Sequence, residues 1–175
     1  MEDWMVLDKS PLFSADSAPP CKLAEVLFQR KVVYVDGVFD LLHKGHLELL
    51  SRAKAFGNFL LVGVHSDEAV KSYKRIPVMS EQYRYELVAA LKGVDAVISG
   101  SPLFLEGKFL KEWNIGAVVH GDDNLYTEMY RTAIELGIMH YVPYTKGVST
   151  SELIAEVCRR HTYGLETDAN SGSQH

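Results

Sequence analysis

The chain of 175 residues lacks the features that mark several broad classes of protein. It has two cysteines, Cys21 and Cys158, too few for a disulfide framework, so both read as plain thiols of a reducing compartment. No apolar run approaches the roughly 20 residues of a membrane-spanning helix, and Met1-Glu2-Asp3-Trp4 has neither the basic head nor the apolar core of a signal peptide. We therefore expect a cytoplasmic protein with no integral membrane segment. Positive charge is not in excess: 18 Lys and Arg face 23 Asp and Glu, for a net charge of -5. That balance argues against nucleic acid as a partner, which calls for a basic face. Internal repeats are also missing. A hydrophobic content of 47% with 23% charged residues is ordinary for a globular chain, and the length suits one domain burying roughly 70% of its unfolded surface.

What is present is an alternation of short apolar runs with amphipathic stretches. Residues 31–35, 59–64, 96–98, 117–120 and 141–143 read as buried strands, the last at an edge because Pro143 cannot donate to a ladder. Between them lie helical patterns: from His46 to a stop at Gly57, from Ser66 to Tyr73, from Ser80 to Lys92, over residues 103–113, and from Tyr126 to a cap at Gly137. Ser149-Thr150-Ser151-Glu152 has the form of a capping box opening a final helix. The pattern predicts an α/β fold, a doubly wound, Rossmann-like parallel sheet of five strands. Residues 1–30 form a turn-rich N-terminal extension with a short amphipathic helix over 22–30, and the polar residues 164–175 have the composition of a disordered tail.

One stretch carries chemistry: Gly37-Val38-Phe39-Asp40-Leu41-Leu42-His43-Lys44-Gly45-His46 follows the first strand of this pattern and ends where a helix begins. Unpaired amides and the positive end of the helix dipole favour an anion there. Gly37 and Gly45 permit close approach to the backbone, and two imidazoles can donate to phosphate oxygens. Read alone, the two histidines fit a helix cap better than a catalytic pair, and a zinc reading lacks a third ligand. Three other segments, His65-Ser66-Asp67, His120-Gly121-Asp122-Asp123 and Lys146-Gly147-Val148-Ser149-Thr150, also follow predicted strands, so all four line one crevice.

With these motifs in order, residues 31 to about 160 resemble the cytidylyltransferases of the His-x-Gly-His nucleotidyltransferase superfamily. Residues 37–46 carry one signature, and Gly147-Val148-Ser149-Thr150-Ser151 resembles the second half of the family's Arg-Thr-x-Gly-Ile-Ser-Thr-Thr/Ser box. Supporting matches are Gly63-Val64-His65-Ser66-Asp67-Glu68, Pro77-Val78-Met79 with Arg84, Val94-Asp95 and His120-Gly121-Asp122-Asp123. The resemblance makes residues 31–163 a catalytic domain and implies transfer from CTP to a phospho-alcohol, giving a CDP-alcohol and pyrophosphate. His43, His46 and Lys74 are then the catalytic residues. Gly37, Val38, Phe39, Asp40, Gly45, Arg84, His120, Gly121, Asp122, Tyr144, Gly147, Val148, Ser149 and Thr150 form the nucleotide site. Mg²⁺ is implied with CTP, held by no protein ligand or by Asp40. A homodimer is implied as well, with Asp95 either structural or at its interface.

Within the family the motifs look most like phosphoethanolamine enzymes, although those usually carry two such domains. Phosphocholine enzymes are the alternative: Asp122, Tyr126 and Tyr130 would hold a cationic head group, while Leu103 stands where those enzymes resemble one another in having tryptophan. Glycerol 3-phosphate is the third acceptor. An adenylyltransferase of the same superfamily and a catalytically degraded nucleotide-binding protein stay open. Two departures bear on the last: Tyr144 replaces the arginine that opens the family's box, and Lys74-Arg75 stands where the family has Lys-Gly.

Overall fold

A computed structural model describes residues 11–123 and 127–171, with side chains described through 162. Six parallel strands form one sheet: β1 (Leu12–Ser14), β2 (Val32–Gly37), β3 (Phe59–Val64), β4 (Ala96–Ser99), β5 (Ile115–Gly121) and β6 (Met139–Val142), in the order β1-β4-β3-β2-β5-β6. The helices are α1 (Cys21–Phe28), α2 (Lys44–Ala53), α3 (Asp67–Lys71), α4 (Glu81–Ala89), α5 (Gly107–Glu112), α6 (Arg131–Glu135) and α7 (Thr150–Ser171). The doubly wound parallel architecture is as the alternation predicts, and β6 lies at an edge as expected, although the strand ends at Val142, before Pro143.

Strands β2 and β3 are Val-rich because both faces are covered. Val33, Val35, Val62 and Val64 pack beneath α2 and α4 through Leu50, Ala53, Val88 and Ala89. On the opposite face Tyr34, Leu61 and Ile98 meet Leu27 of α1, Leu110 of α5 and Ala133 of α6. The chain winds outward from β2 through β3 to β4, then returns to the other side of β2 with β5. A crevice therefore opens at the carboxyl ends of β2 and β5, where open α/β sheets bind ligands.

Three local expectations change. The sheet has a sixth strand, β1, which lies inside the supposed extension and pairs with β4 from Leu12↔Val97 to Ser14↔Ser99. Helix α7 continues to Ser171, through residues read as a disordered tail; 172–175 are outside the described residues. Gly57 is not a left-handed cap: α2 ends at Ala53, a 3-10 turn (Lys54–Phe56) follows, and Gly57 is extended at φ -172°. A Cβ there would come within 2.2 Å of the Lys31 carbonyl oxygen, so close backbone contact selects glycine. No described helix is long and apolar enough to cross a membrane.

Candidate active site

The turn from β2 into α2 is held by its two histidines. His43 is the N-cap of α2, its Nδ1 accepting from the Gly45 amide at 3.1 Å, while His46 Nδ1 accepts from the His43 amide at 3.3 Å. With both Nδ1 atoms accepting, each neutral ring carries its proton on Nε2. Burial pushes His46 down to about 3, helped by His43 and Lys74 and opposed by Asp40; burial also lowers His43, against Glu152. At neutral pH the pair is two neutral Nε2–H donors, their ring centroids 3.9 Å apart. The cap reading and the catalytic reading thus describe one arrangement: capping through Nδ1 leaves Nε2–H for a ligand. Gly45 serves the same packing, since a Cβ would meet His43 Cε1 at 3.0 Å. The turn contains two non-glycine residues in the left-handed region, Phe39 (φ 54°) and Leu41 (φ 44°), a strained conformation that surrounding contacts must hold.

Asp40 supplies many of those contacts. Its buried carboxylate accepts from the amides of Val78 (3.0 Å) and Met79 (2.9 Å) and from Arg75 Nη2 (3.2 Å), and its carbonyl accepts from Thr150 Oγ1 at 2.9 Å. It neither caps a helix nor has a carboxylate oxygen without a donor. Instead it ties the β2–α2 turn to the loop after α3 and to the start of α7.

These segments enclose a cavity of about 450 Å³. Of the sequence-derived candidates, Gly37, Val38, Phe39, Asp40, His43, Gly45, His46, Lys74, His120, Gly121, Tyr144, Ser149 and Thr150 line it. Lys74 projects a cation whose pKa is lowered by partial desolvation and by Arg75, against Asp123. Ser149 Oγ accepts from the Glu152 amide at 3.2 Å, which leaves its O–H to donate. Thr150 and Ser151, the first residues of α7, line the same space, where a helix start favours an anion.

Other candidates do not line the cavity. Arg84 is fully buried (0% exposed) and spends its guanidinium on the carbonyls of Met79, Val38 and His65 and on Asp67 Oδ1 at 2.7 Å. It fastens the loops behind the site. Asp122 accepts from the Tyr144 amide at 2.8 Å and so shapes the loop after β6; Asp123 is the carboxylate in the cavity wall. Gly147 (φ 81°) and Val148 form the turn behind Ser149, with Val148 O accepting from the Tyr144 hydroxyl at 3.3 Å. Tyr130 is buried and donates its hydroxyl to Asp36 Oδ1 at 2.6 Å; burial and Asp36 push its pKa well above the ordinary phenol range. It forms no wall of a head-group cage. Tyr126 lies outside the described residues. Asp95 is structural, its Oδ2 accepting from the Leu60 amide at 2.7 Å.

The sequence reading passed over Asp36, the last side chain of β2 before Gly37. It is 3% exposed and lines the cavity; its Oδ1 takes the Tyr130 hydroxyl, while its Oδ2 has no partner among the described residues. A buried carboxylate oxygen without a donor is costly, and a bound water or a ligand would relieve it. The signal was an acidic residue closing an otherwise apolar strand at the switch point of the sheet.

Residues 34–156 match the Cytidylyltransferase-like family model. The chain is 40% identical over 129 residues to an ethanolamine-phosphate cytidylyltransferase of Dictyostelium discoideum, a match covering 71% of this chain and 36% of that protein. It is also 40% identical over 134 residues to choline-phosphate cytidylyltransferase A of Homo sapiens, covering 73% and 36%. A solved lipopolysaccharide core biosynthesis protein from Thermoplasma volcanium superimposes with a TM-score of 0.54 at 31% identity, over 68% of this chain and 99% of that one. The chain spans little more than a third of the length of these two curated relatives. Because the matched region runs from β2 to the first turns of α7, it takes in the histidine turn and the serine–threonine box together: the chain belongs to the cytidylyltransferase-like family.

Proposed function

We propose that the protein transfers the cytidylyl group of CTP to phosphoethanolamine, giving CDP-ethanolamine and pyrophosphate. A phosphate oxygen of phosphoethanolamine attacks the α-phosphorus of CTP. The bond from that phosphorus to the bridging oxygen of the β-phosphate breaks, and the electron pair leaves with pyrophosphate. The nucleophile is already an anion at neutral pH, so the protein's task is alignment and charge neutralisation. Neutral His43 and His46 donate Nε2–H to oxygens that gain charge. Lys74 supplies a mobile cation, and Ser149 with the α7 amides holds the leaving end. Magnesium would enter with CTP and offset phosphate charge; Asp40, already bound by three donors, would tie the loops beside it rather than hold the ion.

The observation that favours phosphoethanolamine is the Asp36 carboxylate, from a residue that lines the cavity and whose buried Oδ2 has no partner among the described residues. A primary ammonium offers N–H donors and charge to that oxygen. A trimethylammonium has no N–H and calls for aromatic faces, yet the Tyr130 hydroxyl is turned to Asp36 within the core. Glycerol hydroxyls would donate to the carboxylate but bring no positive charge to balance it. The test is pyrophosphate release from CTP and Mg²⁺ with each acceptor, and with ATP in place of CTP. Turnover fastest with CTP and phosphoethanolamine supports the reading; no turnover with any pair, or a preference for ATP, defeats it.

The reading extends to a cytoplasmic homodimer. Both cysteines are free and exposed, which suits a reducing compartment. Exposed Leu47 and the groove among Leu50, Leu91 and Val94 give α2 and the α4–β4 turn an apolar face for a second copy, which light scattering of the purified protein would detect.

A further inference from the structure

The two departures from the family pattern meet in one cavity. Tyr144 and Arg75 both line it, so an arginine is missing at one position and present at another on the same walls. Tyr144 brings no charge, and its hydroxyl goes to the backbone at Val148. Arg75 presents a guanidinium held at the wall: Nη2 lies 3.2 Å from Asp40 Oδ2, and Nη1 donates to the Ile76 carbonyl at 3.1 Å. These contacts use two of the five N–H donors. The side chain is 44% exposed, so the remaining donors are accessible to a ligand.

Asp40 does not depend on Arg75 for its hydrogen bonds. Each of its carboxylate oxygens already accepts a backbone amide, from Val78 and from Met79. The carbonyl of the same residue takes the Thr150 hydroxyl at the start of α7, which brings Arg75 toward the end of the cavity where the serine–threonine box lies. Next to it, Lys74 adds a second cation, harder to protonate through partial burial and through Arg75, against Asp123. Two adjacent cations and two Nε2–H donors on the walls of one cavity suit an extended polyanion.

We propose that Arg75 binds the pyrophosphate end of CTP and supplies, from the loop after α3, the fixed cation that this chain lacks at position 144, with Asp40 parking the guanidinium at the wall. This rests on CTP being the nucleotide, and it concerns nucleotide binding alone, whatever the acceptor. Guanidinium is suited to the place because its planar fork can hold Asp40 on one edge and phosphate oxygens on another.

The test is calorimetric titration of the full chain with CTP and with CMP, both with Mg²⁺, alongside thermal melting. Arg75→Ala should weaken CTP binding about tenfold or more, the loss expected for one charge-assisted contact, and leave CMP within about twofold. Arg75→Lys should recover part of the loss, and Arg75→Ala with Tyr144→Arg should recover more. Arg75→Gln serves if the alanine variant melts early. CTP binding as tight as in the unsubstituted chain, or equal losses for CTP and CMP, would overturn the proposal. If phosphoethanolamine gives no turnover while the CTP loss persists, the acceptor assignment falls and Arg75 stands. If turnover is normal and the variant binds CTP unchanged, Arg75 alone falls. If the unsubstituted chain binds no CTP, both fall.

Discussion

Asp36 and Asp40 stand at the two ends of one turn, 3% and 4% exposed, and the fold treats them differently. Asp40 collects two backbone amides and an arginine. Asp36 receives one tyrosine hydroxyl and keeps an oxygen without a partner among the described residues. Leaving a buried acceptor unpaired costs about 1–3 kcal/mol, a cost that persists where a ligand brings the missing donor. The difference separates a carboxylate that holds the site together from one that, on our proposal, reads the substrate, although both are acidic residues flanking the same short turn.

Asp40→Ala tests the first half of the comparison and should have the largest effect. It orphans two amides and a guanidinium, so stability should fall by about 3 kcal/mol or more in urea melts, with turnover falling alongside. An unchanged midpoint would show that the tie is dispensable. Asp36→Asn tests the other half. The Tyr130 bond and the side-chain shape are kept, so stability should hold or rise, while kcat/KM for phosphoethanolamine drops about 30- to 100-fold, corresponding to loss of a charged contact. A matching rise in the KM for CTP would break the assignment of Asp36 to the acceptor.

The third expectation is pH dependence, on the Asp40 side of the comparison because Asp40 opposes the fall of the His46 pKa. Between 6.5 and about 3 the unfolded chain binds a proton at His46 that the folded chain refuses. Stability should therefore be full above 6.5 and decline as pH falls through that window, by up to about 1.4 kcal/mol per pH unit for this residue, with His43 acting in the same direction. Denaturant midpoints across the window check this, and His46→Gln should flatten the slope. The smallest effect belongs to Tyr130→Phe. Removing the hydroxyl that orients Asp36 should raise the KM for phosphoethanolamine about fivefold, with the KM for CTP unchanged.

Much of this molecule is legible in the sequence because its strongest signals are local. Strands β2 to β6 are apolar runs between turns, and the histidine turn and the serine–threonine box fall after strands, where a doubly wound sheet gathers ligands. What escaped depends on distant partners. β1 is three residues long and draws its pairing from β4, more than 80 residues away, so no periodicity marks it. Arg84 looks like a nucleotide contact until the fold brings three carbonyls and Asp67 around it. Asp122 and Asp123 are adjacent, and only the turn after β5 decides which faces the cavity. Tyr130 and Asp36 meet across 94 positions of sequence, a contact that neither residue announces.

The most direct measurement is the rate of pyrophosphate release from CTP with phosphoethanolamine and its N-methyl, N,N-dimethyl and N,N,N-trimethyl derivatives. If Asp36 Oδ2 reads an ammonium N–H, kcat/KM falls as methyl groups are added, most steeply at the trimethyl compound, and Asp36→Asn flattens the series. A trimethyl substrate used as well as phosphoethanolamine would contradict the account.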